Sequence, residues 1–191
     1  IRPRLSQLLV IDAVTGEESV VFDERVQVRS AVFSPDGATV AFFLRRGDRF
    51  HLYTLDVARN RAREVRLRTD KRIASNSPLL WRPDGSGVLL GLRGDDWAEI
   101  SRRMFLEMSE GPVIVQDSRN SFLAWDSVRN RSSLLIPATV DLDSREVREL
   151  LPEGRMTDFN QSEDGEFVTY TYVTPVRTSY ERNKGTEYQV L

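Results

Sequence analysis

The sequence has 191 residues, of which 40% are hydrophobic and 29% are charged, and its formal net charge is −2 at pH 7. This apolar fraction is ordinary for a globular domain and excludes long disorder, and the near balance of charge argues against nucleic-acid binding, which needs a basic excess. The absence of cysteine excludes disulfides, thiolate zinc sites and a cysteine nucleophile, and no apolar run is long enough to cross a bilayer.

The first two predicted elements are β-hairpins. Leu8–Phe22 has apolar segments on either side of a turn at Thr15-Gly16, and Ala31–Phe43 reads AVFSPDGATVAFF around a turn at Ser34–Gly37. In the second turn the proline presets φ at the first corner, the aspartate suits the second corner, and the glycine takes the positive φ that closes a bulged hairpin. Apolar and β-branched residues on both sides of the turns predict antiparallel strands.

The next hairpin has a polar turn in place of the Asp-Gly pair. Phe50–Asp56 and Arg63–Val65 are predicted strands joined by the polar turn Ala58–Arg61. The same form recurs near the end of the chain in Thr139–Leu150, which turns at Ser144-Arg145. We interpret hairpins of this form as the outer pair of strands in a four-stranded blade.

The Asp-Gly hairpin itself recurs twice. Leu79–Leu90 repeats it with Pro83-Asp84-Gly85, and Met156–Tyr172 loses the proline but keeps the pair in Glu163-Asp164-Gly165. The three turn glycines are 48 and 80 residues apart. The first spacing is close to one propeller blade, and we interpret the second as two blades with some residues missing.

An inner hairpin followed by an outer hairpin predicts an all-β propeller. We expect an arc of about four four-stranded blades, of which the first and last are incomplete, forming part of a larger propeller. Residues 1–191 are predicted to be one propeller segment. The chain begins with Ile1 rather than Met and opens and closes in predicted strands, so we expect a fragment of a longer protein.

The middle of the chain leaves two interpretations open. Val113–Trp125 aligns with the first hairpin copy if Ser118–Asn120 replaces the glycine turn, and the blade between Gly85 and Gly165 then either lacks a strand or is aligned in the wrong register. In addition, Ala98–Met108 has apolar residues at helical spacing after Asp95-Asp96, which is consistent with a short helix in place of a strand.

The repeated strings resemble a known group of propellers. FSPDGATVAFF and WRPDGSGVLL are similar to repeats of the TolB-type periplasmic propeller. They also resemble repeats of the N-terminal propeller of the prolyl oligopeptidase family, including its dipeptidyl peptidase four and acylaminoacyl-peptidase branches. The segment 122–130 looks like a degraded FLWxSERDG motif of the dipeptidyl peptidase branch, with Val128 in place of its glutamate and Asn130 in place of its aspartate.

The peptidase resemblance implies a non-catalytic role. In that family the propeller caps a C-terminal α/β-hydrolase domain, which lies outside this chain, and admits only short or unfolded peptides. We therefore expect a propeller segment that gates and orients peptide substrates for a serine peptidase. The partners would be the hydrolase domain of the same polypeptide and the peptide. The alternative is a TolB-like propeller that acts as a protein-binding scaffold. A periplasmic or secreted location is favoured over a cytoplasmic one.

No residue of this chain is predicted to be catalytic. The G-x-S-x-G motif is absent, and the nearest string, Asp84–Gly87, is a predicted turn. The single histidine, His51, lies in an alternating strand and is predicted to be a packed or channel-facing residue. The dipeptidyl peptidase branch binds the substrate amino terminus with a glutamate pair, but Glu17-Glu18 falls in a predicted surface turn, so we do not assign it that role.

No metal, cofactor or substrate-binding residue is assigned either. Asp141 and Asp143 alternate, but Arg145 stands where a calcium loop needs an oxygen ligand. The strings Arg46-Gly47-Asp48 and Arg93-Gly94-Asp95 each follow a predicted strand and are interpreted as turns.

Two further residue classes are expected to be structural. The arginine-rich stretch 59–72 is predicted to be a solvated outer strand, and we interpret arginine's share of the basic residues, 25 of 27, as genome base composition. We place Trp81 at the same repeat position as Phe33 and Phe159, which predicts a contact between blades.

Overall fold

The structure, a computed structural model, describes residues 5–109, 131–173 and 188–190. Antiparallel pairing dominates these residues, with one helix among them. In chain order the elements are β1 (Leu9–Ile11), β2 (Glu18–Val20), β3 (Val28–Phe33), β4 (Thr39–Arg46), β5 (Arg49–Asp56), β6 (Arg61–Val65), β7 (Arg72–Ile73), β8 (Leu79–Trp81), β9 (Gly87–Arg93), α1 (Trp97–Ser109), β10 (Leu134–Asp141), β11 (Val147–Glu149), β12 (Gly154–Gln161), β13 (Val168–Val173) and β14 (Tyr188–Val190).

The first complete blade, blade 1, is the sheet β3-β4-β5-β6, in which each strand pairs with the next along the chain. Its second strand, β4, alternates its side chains between two packed faces, so a nearly continuous apolar run is buried. Phe42 on this strand is fully buried and pairs with Tyr53 of β5. The first hairpin, β1–β2, packs on one face of blade 1, where the outer pair of strands of a preceding blade would lie.

The three Asp-Gly turns form as their sequences predict. Gly37, Gly85 and Gly165 have φ of 72°, 70° and 72°, a region that costs residues with a Cβ about 1 kcal/mol or more. In each turn the aspartate accepts a backbone N–H two residues ahead, as Asp36 does from Ala38 at 3.0 Å. In the first turn the Ser34 hydroxyl also donates to the carboxylate, and this hydrogen bond is the main reason why the pKa of Asp36 lies below its ordinary value.

Blade 2 corrects our interpretation of the 80-residue spacing. Its inner strand is divided into β7 and β8, both of which pair with β9, and β9 pairs directly with β10 from Gly87↔Asp141 to Leu92↔Ile136. Because β10 then pairs with β11, the hairpin Thr139–Leu150 completes the blade that begins before Leu79. The long spacing therefore contains one blade with an insertion, residues 94–133, between its second and third strands.

The described part of the insertion contains a helix. Helix α1 runs from Trp97 to Ser109, so the helical interpretation of Ala98–Met108 is confirmed. It begins directly after Asp96, whose carbonyl accepts the Ile100 N–H at 3.0 Å. The aligned copy Val113–Trp125 and the degraded motif at 122–130 lie outside the described residues.

The innermost strands are interrupted at equivalent positions. In β3 and β12 the register shifts at a bulge, where Ser30 and Asp158 have positive φ of 55° and 53°. Each lies seven residues before the turn glycine, and the equivalent position in blade 2, Pro78, separates β7 from β8. Bulges of this kind re-aim the neighbouring side chains. The interruption therefore recurs at one level along the inner edge of the arc.

Three apolar clusters join neighbouring sheets in the described residues. The first joins blade 1 to blade 2 and includes Phe43 and Leu90; the second joins the β1–β2 hairpin to blade 1 and includes Phe42; the third joins blade 2 to β12–β13 and includes Leu135 and Phe159. Two complete blades thus lie between two incomplete ones. The predicted all-β propeller arc is confirmed.

The expected contact of Trp81 is confirmed, but its alignment with Phe159 is wrong. Trp81 packs on the cluster between blades 1 and 2, and its Nε1 donates to the carbonyl of Val32 at 3.0 Å. Strand register pairs Phe33 with Val40 and Trp81 with Val88, and the corresponding pair near the third turn is Gln161 with Val168. The equivalent of Trp81 is therefore Gln161. Phe33 is 61% exposed.

Candidate functional site

The two faces of the arc differ in chemistry. The Asp-Gly turns between first and second strands lie on one face, so the second strands end on the opposite face. We call that opposite face the insertion face; it carries residues 46–49, 74–77, 93–97 and 131–134, together with the start of β12. It includes the place where the insertion leaves blade 2 and returns to it.

Arg93 is the most unusual residue of the insertion face. It ends β9 and is only 4% exposed. Its Nη2 donates to Ser75 Oγ at 2.8 Å and to Asn76 Oδ1 at 3.0 Å, and its guanidinium lies over the ring of Trp97 at 4.4 Å. Its Nε is buried and makes no hydrogen bond, and Glu153 is a described carboxylate whose charge acts on it. Burial lowers the pKa of Arg93 from its ordinary value, yet arginine stays charged in proteins.

Three more arginines belong to segments that contact this loop or Trp97. Asn76 Nδ2 donates to the carbonyl of Ser133 at 3.0 Å, and Leu134, the next residue, pairs with Arg155 of β12. Trp97 Nε1 donates to the carbonyl of Arg131 at 3.3 Å. On the other side of the loop, Arg29 Nη1 donates to the carbonyl of Ser75.

We call these residues the arginine cluster: Arg29, Arg93, Arg131 and Arg155. Like Arg93, Arg131 and Arg155 each have a buried Nε with no hydrogen-bond partner. Among the described residues none of the four forms an ion pair, which distinguishes them from the arginines beside them. Guanidinium groups present a planar fork of donors that matches carboxylates. Of these four, Arg29 and Arg93 are the two whose guanidinium groups contact the Ser75–Asn76 loop directly.

The neighbouring arginines of the insertion face are neutralised within the chain. Arg72 of β7 donates to Asp95 through Nη2 at 2.7 Å and through Nε at 2.9 Å, and Arg49 reaches Asp95 at 3.1 Å. Asp48 lies 3.5 Å from Arg72. The two Arg-Gly-Asp strings therefore contribute their aspartates to one ion-pair network that ties blade 1 to blade 2, a role that the sequence analysis did not foresee.

This network predicts a specific acid sensitivity. The hydrogen bond from Arg72 is the main reason why the pKa of Asp95 lies below its ordinary value. Its contribution to stability is therefore present above the ordinary aspartate pKa of about 3.9 and is lost as pH falls through the lower folded value. We expect Asp95→Asn to lose less stability than the parent on acidification, measured by thermal unfolding from neutral pH to about pH 2.

The matched control for this measurement is Asp23→Asn. Asp23 is exposed and forms no ion pair with a described residue. The control should follow the parent curve. Parallel curves for the parent and Asp95→Asn would show that the Arg72–Asp95 pair contributes nothing to acid unfolding.

On the turn face a groove of about 720 Å³ separates blades 1 and 2. It is lined by Trp81, Asp84, Arg66 and Asp143 among others. Asp84 accepts hydrogen bonds from the backbone and hydroxyl of Ser86 at 3.0 and 2.8 Å and lies 3.3 Å from Arg82. The Asp84 carboxylate in the groove is thus already bonded to residues of its own turn. The groove is therefore a weaker candidate than the arginine cluster.

The residues considered in the sequence are dispersed over the arc. His51 lies on the third strand of blade 1, half-buried, with Nδ1 3.0 Å from Glu64 Oε1. Glu17-Glu18 is exposed at the β1–β2 turn. Asp141 accepts the Ser144 N–H at 2.7 Å, and this bond lowers the pKa of Asp141.

The described residues contain neither a metal-binding cluster nor a membrane-spanning helix. No group of three or more histidine, aspartate or glutamate residues among them is arranged to hold a metal ion. Within the same residues, α1 is neither long nor apolar enough to cross a membrane.

Comparison with known proteins identifies the fold. No protein-family model and no curated protein matches the sequence. Among solved structures, TolB from Acinetobacter baumannii matches with a TM-score of 0.53 and 15% identity over 97% of this chain and 36% of that one. An acylaminoacyl peptidase from Pyrococcus horikoshii gives 0.53 and 13% over 92% and 25%. An oligogalacturonate lyase in complex with manganese gives 0.54 and 16% over 90% and 36%.

These comparisons show the fold of the chain. The chain is an arc of a β-propeller whose fold is similar to that of TolB and of the two enzymes. It spans a quarter to about a third of the length of each of these three solved structures. At these identities the comparison defines the fold alone.

Proposed function

We propose that this chain is a non-catalytic segment of one propeller domain in a prolyl-oligopeptidase-like serine peptidase. In this role it admits and orients peptides for a C-terminal α/β-hydrolase domain of the same polypeptide. Its contribution is steric and electrostatic, through the innermost strands that face the channel of a propeller.

The observation that carries this proposal is the interrupted inner edge of the arc. Each innermost strand breaks regular pairing at the same level, at Ser30, Pro78 and Asp158. At that level blade 2 exposes the polar loop residues Ser75 and Asn76, with arginines on either side. An extended peptide offers unpaired backbone groups along its length, which a polar channel wall can bind. Support also comes from the likeness of 92% of the chain to an acylaminoacyl peptidase.

A TolB-like scaffold is the second candidate. It is favoured by the match of 97% of the chain to TolB from Acinetobacter baumannii. The two candidates differ in whether a nucleophile is encoded beyond the propeller.

The deciding experiment reads the gene on both sides of the region that encodes this chain. The peptidase proposal expects a downstream G-x-S-x-G string on a strand-turn-helix pattern, followed by aspartate and histidine. The full-length protein should then react with a fluorophosphonate probe, which labels activated serines. It should cleave a short peptide but leave the same sequence intact inside a folded protein.

Two results would overturn the peptidase proposal. One is a gene in which the propeller closes and no nucleophile motif follows. The other is a full-length protein that cleaves the embedded and free sequences at equal rates, since a gating propeller must discriminate by size. The first result favours the scaffold, and the search would then turn to protein partners.

A further inference from the structure

The third strands of the two complete blades are paired on both edges. β5 lies between β4 and β6, and β10 lies between β9 and β11. β1 is the equivalent strand of the first, incomplete blade, and among the described residues it pairs with β2 alone. A two-stranded hairpin is marginally stable at best in water, and a bare strand edge is a template for pairing. The free edge of β1 is therefore a candidate interaction surface.

The turns that follow the third strands show which residues correspond. Each third strand leads into an aspartate that accepts backbone N–H groups of the turn and is followed four residues later by a residue with positive φ: Asp12 and Gly16, Asp56 and Asn60, Asp141 and Arg145. Ile11, the residue before Asp12, therefore corresponds to Leu55 in blade 1 and to Val140 in blade 2.

One flank of Ile11 is uncovered. In both complete blades the corresponding residue has an apolar neighbour on each side: Val40 and Ala62 beside Leu55, Val88 and Val147 beside Val140. Ile11 has Glu18 on one side and no described strand on the other. It is 56% exposed, whereas its two counterparts are 1% and 0% exposed. Directly opposed residues of paired strands contact each other, so a strand at this edge would cover the free flank of Ile11.

From these equivalences we propose that the free edge of β1 pairs with a β-hairpin that the same polypeptide encodes upstream of Ile1. The hairpin forms the inner half of the blade to which β1 and β2 belong. Its second strand runs antiparallel to β1 and places an apolar residue opposite Ile11, as β4 places Val40 opposite Leu55. This inference goes beyond the proposed function, and it holds for a peptidase and for a scaffold alike.

The path of the chain favours an upstream segment over a second copy of the chain. In both complete blades the second strand precedes the third, and β4 is joined to β5 by Gly47-Asp48 alone on the insertion face. The residues before β1 reach the same face, because Ser6 and Val26 exchange backbone hydrogen bonds of 2.9 and 2.8 Å just before β3 begins. The four residues before Leu5 are fewer than a hairpin such as residues 28–46 needs, so its strands would be encoded before Ile1.

Hydrogen–deuterium exchange of the full-length polypeptide tests the pairing. Leu8 and Asp12 direct backbone groups toward β2, so by alternation the N–H groups of Leu9 and Ile11 point to the free edge. We expect these two amides to exchange at least about tenfold faster in a polypeptide shortened to begin at Ile1 than in the full-length one. The amides of β5, which is paired on both sides, are the internal control and should exchange equally in both.

Photo-cross-linking identifies the partner segment without the shortened polypeptide. A benzoylphenylalanine in place of Ile11 in the full-length polypeptide should form a cross-link to a residue upstream of Ile1. A mixture of isotope-labelled and unlabelled protein distinguishes a link within one chain from a link between two copies. The control position is Arg148, which is exposed on the outer strand of blade 2 and should give no such link.

The outcomes are distinct. Slow exchange that is lost on shortening, together with an upstream cross-link within one chain, supports the inference. Equal exchange in the two polypeptides, no upstream cross-link, a link to a second copy or to a segment after β1, or a gene with no hairpin before Ile1 would overturn it. If the shortened polypeptide does not fold, the β5 amides also exchange fast, and the cross-link alone decides. The peptidase proposal depends on the sequence after Leu191, so either proposal can fail while the other holds.

Discussion

Replacing Phe42 with alanine is expected to lower the free energy of unfolding by about 4 kcal/mol. The Phe42 side chain is fully buried in the cluster between the β1–β2 hairpin and blade 1. Its ring stacks on Tyr53 at 5.7 Å and meets the edge of Phe22 at 6.2 Å. Alanine removes these contacts and leaves a cavity that β4, paired on both sides, cannot close.

Urea unfolding followed by circular dichroism measures this change, with Phe33→Ala as the control. Phe33 lies in β3, which pairs with the strand that contains Phe42, but it is 61% exposed. Its replacement should therefore cost no more than about 1 kcal/mol. A loss of about 4 kcal/mol would be a large part of the total stability of a domain, which is of order 10 kcal/mol. Equal losses for the two variants would show that the β1–β2 hairpin does not pack on blade 1 in solution.

The turns and hairpins could be predicted because their causes are local. The Asp-Gly pair and its flanking apolar residues specify a bulged turn within about ten residues of sequence. Gly37, Gly85 and Gly165 accordingly take the positive φ that the motif requires. The turn at Ser144-Arg145 was also predicted, and there Arg145 itself takes a φ of 62°.

Blade 2 could not be assembled from local pattern. Its second and third strands pair across an insertion of residues 94–133. No local sequence pattern near Gly87 or Asp141 indicates that these two residues pair. A spacing of 80 residues therefore suggested an additional blade. The helical periodicity of Ala98–Met108 was the local signal of the insertion, and it competed with the expectation of a regular repeat.

The candidate site was missed for a related reason. Arginine at the end of an apolar strand is usually solvated, and the excess of arginine in this chain was interpreted as base composition. Burial of Arg93 follows from Trp97 and the Ser75–Asn76 loop, which reach it from other parts of blade 2. The sequence signal was the string GVLLGLR, in which a charged residue ends a strand that is buried throughout.

Among the glycines that the structure describes, the largest effect of adding a single methyl group is expected at Gly87. Alanine there would place its Cβ 2.2 Å from the carbonyl oxygen of Val140. That carbonyl cannot move away freely, because Val140 lies in β10 between Val88 and Val147. The strands must separate or shift register, and we expect Gly87→Ala to cost about 3 kcal/mol of unfolding free energy.

Gly85→Ala is the matched control, two residues earlier in the same string. Gly85 has a φ of 70° and open space around the position of a Cβ, so alanine there is strained by its backbone alone, at about 1 kcal/mol. Thermal and urea unfolding of both variants measure the difference. If Gly87→Ala were as stable as Gly85→Ala, the pairing of β9 with β10 across the insertion would be wrong. The assignment of residues 72–149 to a single blade would then be wrong as well.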